Sequence, residues 1–174
     1  MTQFNWNFTE GFHPTSKCWI YQSNRTLTDA EATEIEIGLK NFVTEWTAHK
    51  QELKATGKVL LNRFLVLMVD ESLNLASGCS IDTLVKFIRE VESNFQLSLL
   101  DRSVLLFEEN NQLKEILLSE LNQQIATGEI QSATFYFNNT VTTLDEMKSK
   151  WMIQAKDSWF ADRFNNQLHK TSLV

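Results

Sequence analysis

The sequence predicts an α+β fold, a ferredoxin-like βαββαβ core followed by a C-terminal αβα extension. Three observations point to it. Short runs rich in β-branched and aromatic residues alternate with stretches of helical periodicity. The second and third strand-like runs lie only two residues apart, the spacing of a hairpin and not of a parallel pair. Two capping boxes, Thr28–Glu31 and Thr143–Glu146, mark helix starts. With 174 residues, 43% of them hydrophobic and 22% charged, the chain has the composition of an ordinary globular domain.

Residues 1–16 read as an N-terminal arm, in which Phe4-Asn5-Trp6-Asn7-Phe8 alternates as an edge strand or an aromatic cover does. The core spans 17–109. Its first strand covers 18–23, and Thr28 then opens a helix whose apolar stripe is Ile35, Leu39, Phe42, Val43 and Trp46, ending near His49. Runs 53–61 and 64–70 form the hairpin through Asn62-Arg63. Gly78-Cys79-Ser80 starts the second helix, with Ser80 as the expected N-cap and Ile81, Leu84, Val85, Ile88, Val91 and Phe95 facing inward. Residues 103–108 form the fourth strand. The extension spans 110–174: a helix over 112–125 that stops before Gly128, a strand over 133–137, and a last helix carrying Leu144, Met147, Trp151 and Ala155. A right-handed crossover would lay that fifth strand parallel to the fourth. No linker or repeat interrupts the chain, so 1–174 reads as one domain.

Composition excludes several functions. A net charge of −6 and a pI near 5.1 oppose nucleic-acid binding, which needs a basic face. No run approaches the length of a membrane span, and the first residues carry no basic and apolar leader, so the expected location is the cytoplasm. Two cysteines, Cys18 and Cys79, are too few for a disulfide scaffold or a structural zinc site.

One motif points towards nucleotide hydrolysis. Phe64-Leu65-Val66-Leu67-Met68-Val69-Asp70-Glu71 matches the apolar strand ending in Asp-Glu that holds Mg²⁺ and polarises water in such enzymes. That chemistry also needs the phosphate cradle G-x-x-x-x-G-K-[ST]. The sole Gly-Lys pair, Gly57-Lys58, is followed by Val59, and Glu52 stands where the first glycine belongs. The cradle is missing.

In a sheet ordered 4-1-3-2, the start of the first strand, the end of the third, the end of the first helix and the start of the second share one rim. That rim gathers Cys18, His49, Asp70, Glu71, Ser72, Cys79 and Ser80, and a parallel fifth strand adds Asn138 and Asn139. A thiol at a helix start has a lowered pKa, which makes Cys79 the candidate nucleophile with His49 as base and Asp70 as orienting group. Trp19, Glu71, Ser72, Ser80, Asn138 and Asn139 are the candidate binding residues. The plainer reading makes Cys79 a packing residue, His49 a solvated helix end and the acids strand-end charges. A divalent-metal site at Asp70 and Glu71 is a third reading, but no paired His or Cys spacing supports it and no ligand is assigned. Trp6, Phe8 and Trp159 are candidates to cover the sheet face without helices, a face that would otherwise stay open to a second copy in a homodimer.

The segments Trp19-Ile20-Tyr21-Gln22-Ser23-Asn24-Arg25, Trp46-Thr47-Ala48-His49, Asn62-Arg63-Phe64, Val69-Asp70-Glu71-Ser72, Ser77-Gly78-Cys79-Ser80-Ile81-Asp82 and Leu100-Asp101-Arg102 together resemble a family of small, uncharacterised bacterial proteins. Its members often carry the automatic label "ABC transporter ATPase". The resemblance runs from about Trp19 to Trp159 and implies no established activity; the label conflicts with the absent cradle and the absent L-S-G-G-Q signature. The expected function is therefore a small-ligand or protein-binding module and not an ABC ATPase. The alternative is a cysteine-dependent hydrolase, acyltransferase or thiol redox enzyme using Cys79. No cofactor is legible.

Overall fold

A computed structural model describes residues 4–72 and 74–164 and shows a mixed α+β architecture with three antiparallel sheets. The chain divides into two compact units: Phe4–Asp101 with Asn139–Lys148, and Arg102–Asn138 with the residues from Ser149 on. The division therefore falls before strand 104–109 and not after it, where the sequence placed the end of the core.

In the first unit, β1 (Lys17–Gln22) leads to α1 (Asp29–Glu45), whose Thr28–Glu31 capping box is present as expected. A small hairpin follows, β2 (Thr47–Ala48) and β3 (Gln51–Glu52), turning through His49 and Lys50 at φ 52° and 66°. Next come β4 (Lys54–Leu60) and β5 (Phe64–Asp70), then α2 (Gly78–Phe95). The main sheet has the order β1-β5-β4, with Trp19 opposite Leu67 and Gly57 opposite Leu67 on the far side.

Alternation along these strands sorts the core. Tyr21, Leu65, Leu67, Val69 and Val59 pack with Ile35, Leu39, Leu84 and Ile88 of the two helices. α1 sits so close to β4 that a Cβ built on Gly57 would lie 3.3 Å from Leu39, which would have to give by a few tenths of an ångström to admit it. The opposite face is buried as well: Cys18, Ile20, Phe64, Val66 and Met68 are all covered, and every residue of β5 is buried. A strand enclosed on both faces reads as a continuous apolar run, which Phe64–Val69 is.

The ferredoxin-like order is met only as 1-3-2. The edge of β1 where the fourth strand was expected is occupied by residues 139–143: Cys18 N–H donates to Thr142 C=O at 2.9 Å and Lys17 bridges Thr143. The expected fourth strand, β6 (Val104–Glu109), belongs to the second unit, where it forms a hairpin with β7 (Gln112–Leu117) through Asn110-Asn111 at φ 53° and 61°. Positive φ at both central residues is the tight-turn geometry that asparagine tolerates. The helix expected over 112–125 is thus a strand followed by the short α3 (Leu121–Ala126).

Because the chain returns along β7, β8 (Phe135–Phe137) pairs with β6 antiparallel and not parallel. The last expected helix is also shorter. α4 (Leu144–Lys150) ends before β9 (Met152–Gln154), which closes the sheet as β7-β6-β8-β9. At the start of α4, Thr143 Oγ1 accepts from Glu146 N–H at 3.2 Å, while the Glu146 carboxylate reaches Thr142 N–H at 2.9 Å. Leu105, Phe107, Ile116, Leu121, Ile125, Tyr136 and Phe160 form the core of the second unit. The N-terminal Phe4–Phe8 segment is no strand; a 3₁₀ turn at Asn7–Thr9 places Trp6 between Phe4 and Phe8, at ring distances of 5.3 and 6.2 Å.

Candidate functional site

The rim expected from the topology contains a tightly bonded acid. Asp70, at the end of β5, is 3% exposed. Register places Lys54 of β4 opposite it, and the ammonium donates to its carboxylate at 2.8 Å. The backbone N–H groups of Ser72 and His13 add bonds of 3.1 and 3.4 Å. The Lys54 bond above all, with the Ser72 and His13 bonds, holds this carboxyl far below the ordinary carboxylate range against the opposing effect of burial. Lys54 also donates to the Gly11 carbonyl and lies 5.1 Å from the centre of the Phe12 ring. Asp70 and Lys54 thus form a clasp that ties the N-terminal segment to the sheet.

Neighbouring candidates serve the same local structure. Glu71 accepts the Ala76 N–H at 2.8 Å and pairs with Lys17 at 3.1 Å, which shapes the loop into α2. Ser80 is not the N-cap. Ser77 takes that place: its hydroxyl accepts Ser80 N–H at 3.2 Å, and Ser80 Oγ accepts Ser77 N–H at 2.7 Å. Both serines have the hydroxyl a cap requires, and only the backbone path decides between them. Cys18 is buried, and its thiol is pushed up to about 12, chiefly by desolvation and then by the Glu146 charge. Burial thus disfavours its thiolate, the reactive form.

The proposed catalytic trio is not joined by hydrogen bonds. Cys79 is exposed in the first turn of α2. His49 does not end α1 but sits exposed at the tip of the β2–β3 turn. Among the described residues, neither the Cys79 thiol nor the His49 ring has a hydrogen-bond or ionic partner, and Asp70 is engaged by Lys54. Asn139 bonds Gln22 through its amide at 2.9 Å, at the end of β1 remote from Cys18. Asn138 belongs to the second unit, where its N–H bonds the Trp151 carbonyl. Gln22 pairs with Phe64 at the start of β5, so Asn139 lies at the end of the main sheet away from Asp70. No group of three or more His, Cys, Asp or Glu that could hold a metal occurs among the described residues.

A concave site lies where α1 ends and α2 begins. Phe42, Glu45, Trp46, Thr47 and Thr83 line a cleft of about 190 Å³. Its frame is well fixed. The Trp46 indole N–H donates to the Ser80 carbonyl at 2.8 Å and binds the two helices together. Trp19, half-buried, meets Trp46 edge-on at 5.8 Å; Phe42 lies 5.1 Å from Trp46 and stacks on Phe87 at 4.5 Å. Trp19 therefore supports the cleft wall and does not reach the Asp70 clasp. Thr83 Oγ1 donates to the Cys79 carbonyl one turn earlier, at 2.9 Å. Glu45 and Thr47 were missed from sequence because an exposed acid and threonine at a helix end look like ordinary solvated residues. The available signal was a helix ending in Thr-Glu-Trp-Thr with neither a basic residue in its last turn nor a glycine after it.

Compared with family models, curated proteins and solved structures, the chain has no match.

Proposed function

We propose that the chain is a small-ligand-binding module and not a nucleotide hydrolase, and that the cleft at the junction of α1 and α2 is its binding site. The observation that carries this reading is the cleft itself, about 190 Å³, with a braced aromatic wall of Phe42 and Trp46 beside the polar side chains of Glu45, Thr47 and Thr83. Its volume is below that of drug-sized sites, which suits a ligand of only a few non-hydrogen atoms.

The second support is negative in kind. The acid that would hold Mg²⁺ in a hydrolase has a lysine ammonium against it, and the sequence has no phosphate cradle. In this reading the chain is a cytoplasmic protein of the bacterial group it resembles, without that group's ATPase label. The strand order β1-β5-β4 with α1 and α2 is consistent with the first five elements of a βαββαβ plan.

The test is a screen of fragments of four to eight non-hydrogen atoms by amide chemical-shift mapping. Binders should shift Trp46, Thr47 and Thr83, and Thr83→Tyr, which fills the cleft from an exposed helix position, should abolish those shifts. Binding that clusters elsewhere, or that survives Thr83→Tyr, would overturn the reading.

A further inference from the structure

Two features at the cleft share a negative sign. Glu45 closes α1, and its carboxylate has no hydrogen-bond or ionic partner among the described residues. The 17-residue α1 ends here with no backbone capping bond from its C-cap residue Trp46 and no basic residue in the last turn. A helix C-terminus carries roughly half a negative charge on its unpaired carbonyls. In contrast, Gln96 after α2 and Thr127 after α3 each donate a capping N–H.

Two of the donors in the lining are committed: the Trp46 indole N–H to Ser80 and the Thr83 hydroxyl hydrogen to Cys79. What remains is the Glu45 side chain, the Thr47 hydroxyl, the Thr83 hydroxyl oxygen, and the apolar surface of Phe42 and Trp46. No lysine, arginine or histidine lines the cleft.

From this charge complementarity we infer that the cleft binds a small organic ammonium ion, its alkyl part against Phe42 and Trp46 and its N–H groups on Glu45 and the end of α1. This rests on the small-ligand reading above and deepens it. An anion would meet the carboxylate and the helix end at repulsive distance. A neutral alcohol has one hydrogen to donate where an ammonium has three and carries no charge to match. Recognition of this kind is weak and dependent on salt, because Glu45 is exposed and screened.

The experiment uses the full chain with n-butylammonium as probe, followed by Trp fluorescence and by amide shifts at low salt. n-Butanol and butyrate serve as matched neutral and anionic controls. Saturable binding at about 1–10 mM is expected for five non-hydrogen atoms. Glu45→Gln should weaken it about threefold to fivefold, the reach of one exposed ion pair; raising the salt to 0.5 M should weaken it too. Butanol bound as tightly as butylammonium, or affinity unchanged in Glu45→Gln, overturns the ammonium assignment yet leaves the cleft as a ligand site. Saturable butyrate binding at Trp46 does the same. No saturable binding of butylammonium up to 50 mM also overturns it, while the fragment screen separately decides the broader reading.

Discussion

Asp70 and Glu45 are both carboxylates at the ends of secondary-structure elements, and the fold treats them in opposite ways. Asp70 ends β5, is almost wholly buried and receives Lys54 and two backbone N–H groups. Glu45 ends α1, is exposed and receives nothing among the described residues. A buried charge must be matched inside the protein, because an unpaired one is expensive away from water. An exposed charge can stay unmatched, because water solvates it. The acid that looks catalytic in the sequence is thus committed to structure, and the one that looks ordinary is free to meet a ligand.

Substitutions can break or sharpen this contrast. The largest loss is expected from Asp70→Asn, about 2–3 kcal/mol in urea unfolding, since it removes the buried carboxylate charge that Lys54 and two backbone N–H groups are arranged around. Its pH dependence has a definite sign. The folded-state pKa of Asp70 is depressed, so its stabilisation is full above the unfolded value near 4 and is lost as pH falls towards the folded value. Wild type should therefore lose its advantage over Asp70→Asn on acidification from pH 5 to 2. Glu31, lowered to about 2 chiefly by the Arg25 bond, titrates in the same window but is common to both proteins and cancels. A constant difference across that range would mean that the clasp is not ionic.

Gly57→Ala comes next, at about 1–2 kcal/mol, because the new methyl group would press on Leu39 and shift α1. That shift should also disturb the cleft, which α1 helps to form; intact butylammonium binding in Gly57→Ala would show that the cleft does not depend on this packing. Ser77→Ala should cost about 1 kcal/mol through loss of the α2 cap, read as a lower thermal midpoint. Glu45→Gln is expected to stay within about 0.5 kcal/mol of wild type. A larger loss there would reveal a structural partner for Glu45 and erase the contrast with Asp70.

Much of the first unit was legible. The Thr28–Glu31 box, the apolar run Phe64–Val69 and the span of α2 each rest on local signals, and the hairpin fixed the order 1-3-2. The second unit was not, and one turn explains most of it. Gln112-Leu113-Lys114-Glu115-Ile116-Leu117 is made largely of good helix formers, yet Asn110-Asn111 is a hairpin dipeptide, and pairing with β6 overrides propensity. Taking 112–117 as helix made β8 parallel to β6, where it is antiparallel. The candidate site suffered differently. The bonds of Asp70, Glu71 and Ser72 to Lys54, Lys17 and backbone N–H groups depend on cross-strand register and loop path, which no local pattern reports.

The contrast between the two acids can be measured in a single titration. Side-chain carboxyl ¹³C shifts of Glu45 and Asp70 should be followed together as n-butylammonium is added at neutral pH. Glu45 should move along a saturating curve while Asp70, closed in by Lys54, stays where it is. Movement at Asp70 with Glu45 unchanged would contradict the account.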